Sequence, residues 1–149
     1  MNAKTCLVLG SILGGLAVAL GAFGAHGLQT ALGAWIADEA LRAKRLDDWD
    51  VAARYQMYHA LALLAVGFVA ARGRDWSSSL AGICFVLGPL IFSGCLYALV
   101  LSHAVSAEGW KWLGAIVPLG GVLMILGWGL LAAAAWRMNS NFSAPKPLK

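Results

Sequence analysis

Acidic residues are missing from every long apolar run of this sequence, and charged residues of any kind make up only 12% of it. The first absence argues against a small exporter that exchanges a proton on a membrane carboxylate for its substrate. The second, beside 60% hydrophobic residues and a mean hydropathy of +0.75, excludes an ordinary soluble globular domain. Cysteine is scarce. Cys6, Cys84 and Cys95 sit singly in apolar runs with no CxxC, so neither a thioredoxin-like pair nor a zinc site is indicated, and all three read as small buried hydrophobes. No nucleophile, base and orienting group stand at workable spacing, and Ser93 and Ser102 read as hydroxyls bonded to the preceding turn. The expectation is a protein that is not an enzyme and has no resident cofactor. The net charge of +4 is scattered over helix ends instead of gathered into a stripe with stacking aromatics, which argues against nucleic acid as a partner.

What the chain does have is length of hydrocarbon. The runs Cys6 to Ala25, Leu80 to Leu101 and Leu113 to Trp136 each reach the ~20 residues of a bilayer crossing. A fourth, Tyr58 to Ala71, reaches that length when extended back to Arg54, with Arg54 snorkelling and Tyr55 and Tyr58 at the interface. The expected architecture is an all-α integral membrane four-helix bundle in a single domain over 1–149, with helices at about 6–26, 52–71, 80–101 and 112–136. A short interfacial or extramembrane helical segment, carrying Leu28, Leu32, Trp35 and Ile36 at helical spacing, joins helices one and two. Residues 137–149 read as a disordered tail. The start of the chain resembles the first regions of a signal peptide, but its patterned glycines predict a retained helix.

That pattern is Gly10, Gly14, Ala17, Gly21 and Gly24, at alternating steps of four and three, a strip along which another backbone can approach closely. The fourth helix repeats the device with Gly120, Gly121 and Gly127. Asp47 or Asp48 is the expected N-cap of helix two. Asp38 with Arg42 and Asp50 with Arg54 are spaced for exposed i,i+4 bridges. Gly88-Pro89 should bend helix three.

One stretch stands out, Asp50-Val-Ala-Ala-Arg54-Tyr55-Gln56-Met57-Tyr58-His59, which brings charge, amide, phenols and imidazole into the mouth of an apolar helix. Four spans would carry His26, His59 and His103 into the same outward leaflet. The candidate polar ligand or interaction cluster is therefore Arg54, Tyr55, Gln56, Tyr58, His59, His26 and His103. The three histidines are weak candidates for metal or haem ligation, since neutral imidazole suits zinc, copper and iron, but no HxxxH or carboxylate partner tightens the spacing.

Four motifs in order, Gly21-Ala-Phe-Gly-Ala-His-Gly-Leu28, Arg54-Tyr-Gln-Met-Tyr-His-Ala60, Ser93-Gly-Cys-Leu-Tyr97 and Leu113-Gly-Ala-Ile-Val-Pro-Leu-Gly-Gly121 with Gly127-Trp128, resemble the YgdD-like family of small membrane proteins, the domain-of-unknown-function (DUF) 423 family. The resemblance implies a four-helix inner-membrane protein with relatives in bacteria and eukaryotes and no established activity. The connection before Asp47 looks longer than the family's and is left outside the carry-over. The leading expectation is a multi-pass protein of the bacterial inner (plasma) membrane, both termini cytoplasmic. It would be non-enzymatic and act through its glycine seams on membrane lipid, a membrane-protein partner or its own copy as a homo-oligomer. The alternatives are a small-solute carrier or channel around Arg54 and His59, and a haem, metal or quinone-binding redox protein.

Overall fold

The structure, a computed structural model, describes residues 1–73, 75–105, 110 and 112–138. Among these the chain is helical, without strands. The elements are α1 (Ala3–Ala25), α2 (Gly27–Trp35), α3 (Glu39–Arg72), α4 (Trp76–Leu101), a 3-10 turn (Ser102–Val105) and α5 (Leu113–Trp136). Three helices are long and apolar enough to cross a membrane: Ala3–Ala25, Leu113–Trp136, and α4 with its 3-10 extension, Trp76–Val105. α3 is not among them, because Tyr55, Gln56, Tyr58 and His59 dilute its apolar half. Of the tail expected over 137–149, Arg137 donates to the Ser77 hydroxyl at 2.9 Å and Met138 packs on the core, which corrects its start, and the rest lies outside the described residues.

α1, α3 and α4 each start where a side chain can satisfy the first free N–H groups. Asn2 accepts from Thr5 N at 2.8 Å to open α1. Asp38 accepts from Ala40 N at 2.9 Å and Leu41 N at 3.3 Å to open α3. This corrects the expected N-cap at Asp47 or Asp48 and the expected start near residue 52. The apolar period continues upstream through Leu41 and Leu46, which pack on Leu28, Leu32, Ile36, Trp49 and Val100. The helix therefore has a buried face well before its bilayer-like half. With its carboxylate spent on the cap, Asp38 makes no described bridge to Arg42, whereas Asp50 and Arg54 pair at 2.8 Å. α4 begins at Trp76, four residues before the expected start. Asp75 and Ser78 form a reciprocal capping box (Ser78 N to Asp75 at 2.7 Å) that makes Ser77 to Ser79 the first turn.

α1 lies along α3, α3 along α4 and α4 along α5. The four long helices thus stand in a row in chain order, and a shared core of Cys6, Leu63, Val66, Phe85 and Leu131 runs through it. The 34 residues of α3 extend roughly 51 Å, against ~30 Å of bilayer hydrocarbon. Its first turns project beyond the other helices, and α2 covers them with Leu28 and Leu32, both fully buried.

The small-residue strips are consumed inside the chain. A methyl on Gly10 would lie 2.7 Å from Leu64 Cδ2 and 3.0 Å from Ala60 O, and one on Gly24 would lie 2.6 Å from the Trp49 ring. Gly14 and Gly21 face the same helix at ordinary contact distance, near Ala60 and Ala53. On the other side of the row, a methyl on Gly120 would lie 2.6 Å from Phe92 N and 2.8 Å from Gly88 O, and one on Gly127 would lie 2.6 Å from the Phe85 ring. Gly121 has nothing within 4 Å of such a methyl. The seams expected to face a partner thus hold α1 to α3 and α4 to α5. α4 stays helical through Gly88-Pro89, and Gly88 faces Gly120 and Met124 of α5 at close range.

Polar side chains fasten α3 to both neighbours. Trp49 Nε1–H donates to Leu20 O at 2.8 Å and Gln56 Nε2–H to Leu13 O at 2.9 Å, both on α1. Ser93 of α4 donates its hydroxyl to Ala52 O at 2.8 Å. The acceptors are helix carbonyls with a spare lone pair. Buried Gln56 and Ser93 therefore cost little desolvation and specify which faces meet.

Candidate functional site: the cleft between α3 and α5

Since α3 and α5 both pack on α4 and barely on each other, a cleft opens between them with α4 as its floor. It encloses about 520 Å³, within the ~300–1,000 Å³ of small-molecule sites. α3 contributes Tyr55, Tyr58 and His59, α4 contributes Phe92, and α5 contributes Gly121, Met124, Ile125 and Trp128. The helical period explains the α5 wall, since residues 121, 124, 125 and 128 share one face.

His59 is buried at the foot of the cleft. Its Nδ1 lies 2.7 Å from Tyr55 O, and Trp128 Nε1–H donates to its Nε2 at 3.3 Å. A carbonyl only accepts and an indole N–H only donates, so the two contacts together require a neutral imidazole with its proton on Nδ1. Rings pack around it: Phe85 at 5.6 Å from His59, Trp128 edge-on to Phe85 at 5.3 Å, and Tyr55 stacked on Phe92 at 4.9 Å. Chemically the cleft offers flat aromatic walls and phenol groups near its rim, where Tyr55 and Tyr58 are exposed.

The other residues expected in this cluster are elsewhere. Gln56 is turned away into α1. Arg54 is exposed and paired with Asp50. His103 accepts at Nε2 from Arg45 Nε–H at 3.1 Å. Arg45 precedes His59 by fourteen residues of one helix, about 21 Å, so His59 and His103 are not at one depth. His26 lies in the break between α1 and α2, exposed. No group of three histidine, cysteine, aspartate or glutamate side chains that could hold a metal ion occurs among the described residues, and the three histidines belong to separate surroundings. Sequence reasoning missed Phe92, Met124, Ile125 and Trp128 as lining residues. The signal was the repeat of positions 121, 124 and 128 on α5, which predicts a shared face without saying what it faces.

Three bilayer-length apolar helices, packed with a longer and more polar one around an aromatic cleft, define a helical membrane protein. A family model described as "Protein of unknown function (DUF423)" matches residues 20–121. The chain belongs to that family. The match includes the connection before Asp47, which the motif comparison had left outside. The chain is 37% identical over 135 residues to "UPF0382 membrane protein SSP2132" of Staphylococcus saprophyticus, covering 91% of this chain and 99% of that one. It is 40% identical over 133 residues to "UPF0382 membrane protein YwdK" of Bacillus subtilis, covering 89% and 96%. No solved structure matches.

Proposed function

We propose that this is a non-enzymatic four-span protein of the bacterial inner membrane, with both ends cytoplasmic, that works by holding a bilayer component in the cleft between α3 and α5. One observation carries the reading: the cleft is walled by exposed Tyr58, Ile125 and Trp128 on the flank of bilayer-length helices, so what reaches it comes from the membrane. The last twenty residues of α3 supply the fourth crossing. Within it Gln56 and His59 are bonded inside the protein, which removes the main cost of placing them in hydrocarbon, and Arg54, Tyr55 and Tyr58 lie towards its outer end, where snorkelling and interfacial side chains are tolerated. Arg72 closes α3 near the start of α4 at Trp76, whereas Arg42, Lys44 and Arg45 stand in the first turns of α3 among acids. That contrast favours the Arg72 side as cytoplasmic.

Both nitrogens of His59 are engaged, leaving no lone pair to take a proton from a substrate, which favours binding over catalysis. The glycine strips are spent on internal packing, which favours lipid over a second copy as the partner. The test is co-purification. Protein taken through detergent exchange should retain lipid, and Gly121→Phe, which points a ring into the cleft from a position where a Cβ meets nothing within 4 Å, should lose it. Wild type stripped of lipid as readily as the filled variant would remove the reading. A reporter fused after Met138 should be active only as a cytoplasmic fusion.

A further inference from the structure

Beside the cleft, α3, α4 and α5 bound further space towards the first turns of α3. A second concavity of about 350 Å³ is bounded by Lys44, Arg45 and Asp48 of α3, Leu96 and Leu99 of α4, and Gly114 and Val117 of α5. It is in line with the first. Residues 114, 117, 121, 124 and 128 of α5 form one stripe at helical spacing, and α4 supplies the floor of both, through Leu96 and Leu99 in one and Phe92 in the other. From Gly114 to Trp128 the groove runs about 21 Å, compared with ~15 Å for half the bilayer hydrocarbon. That is long enough to reach from headgroup level to past the midplane. Its two ends differ in chemistry. The inner end is aromatic and apolar. At the outer end Lys44 bridges Asp48 at 3.3 Å and Arg45 bridges the same carboxylate at 2.7 Å, so among the described residues that line this concavity two cations face one anion.

We infer that the groove holds one anionic glycerophospholipid, its phosphate against Lys44 and Arg45 and an acyl chain laid down the α3–α5 cleft to the Trp128–His59 pair. This rests on the cleft reading and adds the class of occupant. A chain alone would not need the cations, and a free phosphate would not need the aromatic walls. Asp48 holds the guanidinium of Arg45 in place, and Lys44, with 64% of its side chain exposed, is free to turn its ammonium to the headgroup. Arg and Lys are the groups that recognise phosphate, the former by its planar fork and the latter as a point charge.

The experiment is native mass spectrometry of protein reconstituted with equal phosphatidylglycerol and phosphatidylcholine, then released from detergent. Wild type should keep one phosphatidylglycerol at least tenfold over phosphatidylcholine. Lys44→Glu, an exposed change that leaves packing alone, should abolish that preference while lipid is still held. Gly121→Phe should lose both lipids, and glycerol phosphate, having no chain, should not compete. Equal retention of the two lipids by wild type, or an undiminished preference in Lys44→Glu, would overturn the anionic assignment while leaving the cleft reading intact. Retention of both lipids by Gly121→Phe would overturn the cleft itself. Circular dichroism and elution identical to wild type would show that each variant is folded.

Discussion

Trp128 of α5 donates its indole N–H to Nε2 of His59 on α3 at 3.3 Å, the one described hydrogen bond that spans the cleft between these two helices. His59 is held from behind by Tyr55 O, so the pair acts as a fixed strut at the foot of the groove. Trp128→Phe should leave the imidazole acceptor unpaired and destabilise the protein by about 1–3 kcal/mol. His59→Leu should cost a similar amount by orphaning the indole. The double change should cost less than the sum, since the second substitution removes a group already unpaired. Unfolding in mild detergent, read as a double-mutant cycle, checks this. Additive losses would mean that the two residues do not interact.

Adjacent glycines of α5 should behave oppositely. Gly120→Ala pushes a methyl to 2.6 Å from Phe92 N and 2.8 Å from Gly88 O, atoms of α4 backbone and not of a flexible side chain. α4 and α5 must part, at a cost of about 1–3 kcal/mol. Gly121→Ala meets nothing within 4 Å and should be neutral or stabilising by up to ~1 kcal/mol through helix propensity. Thermal unfolding of the two variants side by side is the measurement.

Gln56→Leu should be nearly neutral. The change removes the donor to Leu13 O, but that carbonyl keeps its own helix bond, and intramembrane side-chain hydrogen bonds average only ~0.6 kcal/mol. A loss above about 2 kcal/mol would show that the bond fixes the register of α1 on α3. Under a carrier mechanism the same variant would instead alter flux in liposomes with stability unchanged.

Asp75 opens α4 and gives a pH dependence of known sign. The Ser78 backbone N–H, with smaller help from the Ser78 hydroxyl, Arg137 and Ser77, holds its carboxyl below the usual range against a smaller opposing effect of burial. A depressed folded value means that its stabilisation is complete above the ordinary carboxylate pKa and is lost as pH falls through and below it. Asp75→Ala should cost about 1 kcal/mol at neutral pH and flatten that acid limb. Unfolding midpoints of both proteins from neutral to acid pH check the slope.

Much of this was legible in the residues. Apolar runs and the lack of charge put the protein in a membrane, and the alternating steps of Gly10, Gly14, Ala17, Gly21 and Gly24 announced a close-packed helix. The stretch around His59 was correctly singled out, yet its members disperse. Tyr55, Tyr58 and His59 line the cleft, Gln56 points at α1, and Arg54 is exposed and paired with Asp50. A helix period sorts residues into faces but carries no label for the neighbour each face meets. For the same reason His26, His59 and His103 could be placed together by counting spans, though Arg45 and Trp128 draw two of them some 21 Å apart along α3.

By itself the sequence determined the solvent and the helical character of the chain, because hydropathy is a local property, and the caps at Asn2, Asp38 and Asp75 are local too, each serving N–H groups within three residues. Tertiary structure alone decided that Gly120 is indispensable where Gly121 is idle, and that α1 docks on α3 while α5 stands clear of it. It likewise decided that the space so left is a groove with cations at one end and aromatic rings at the other. Those outcomes depend on which helices touch, and contact between helices is a property of the whole assembled row.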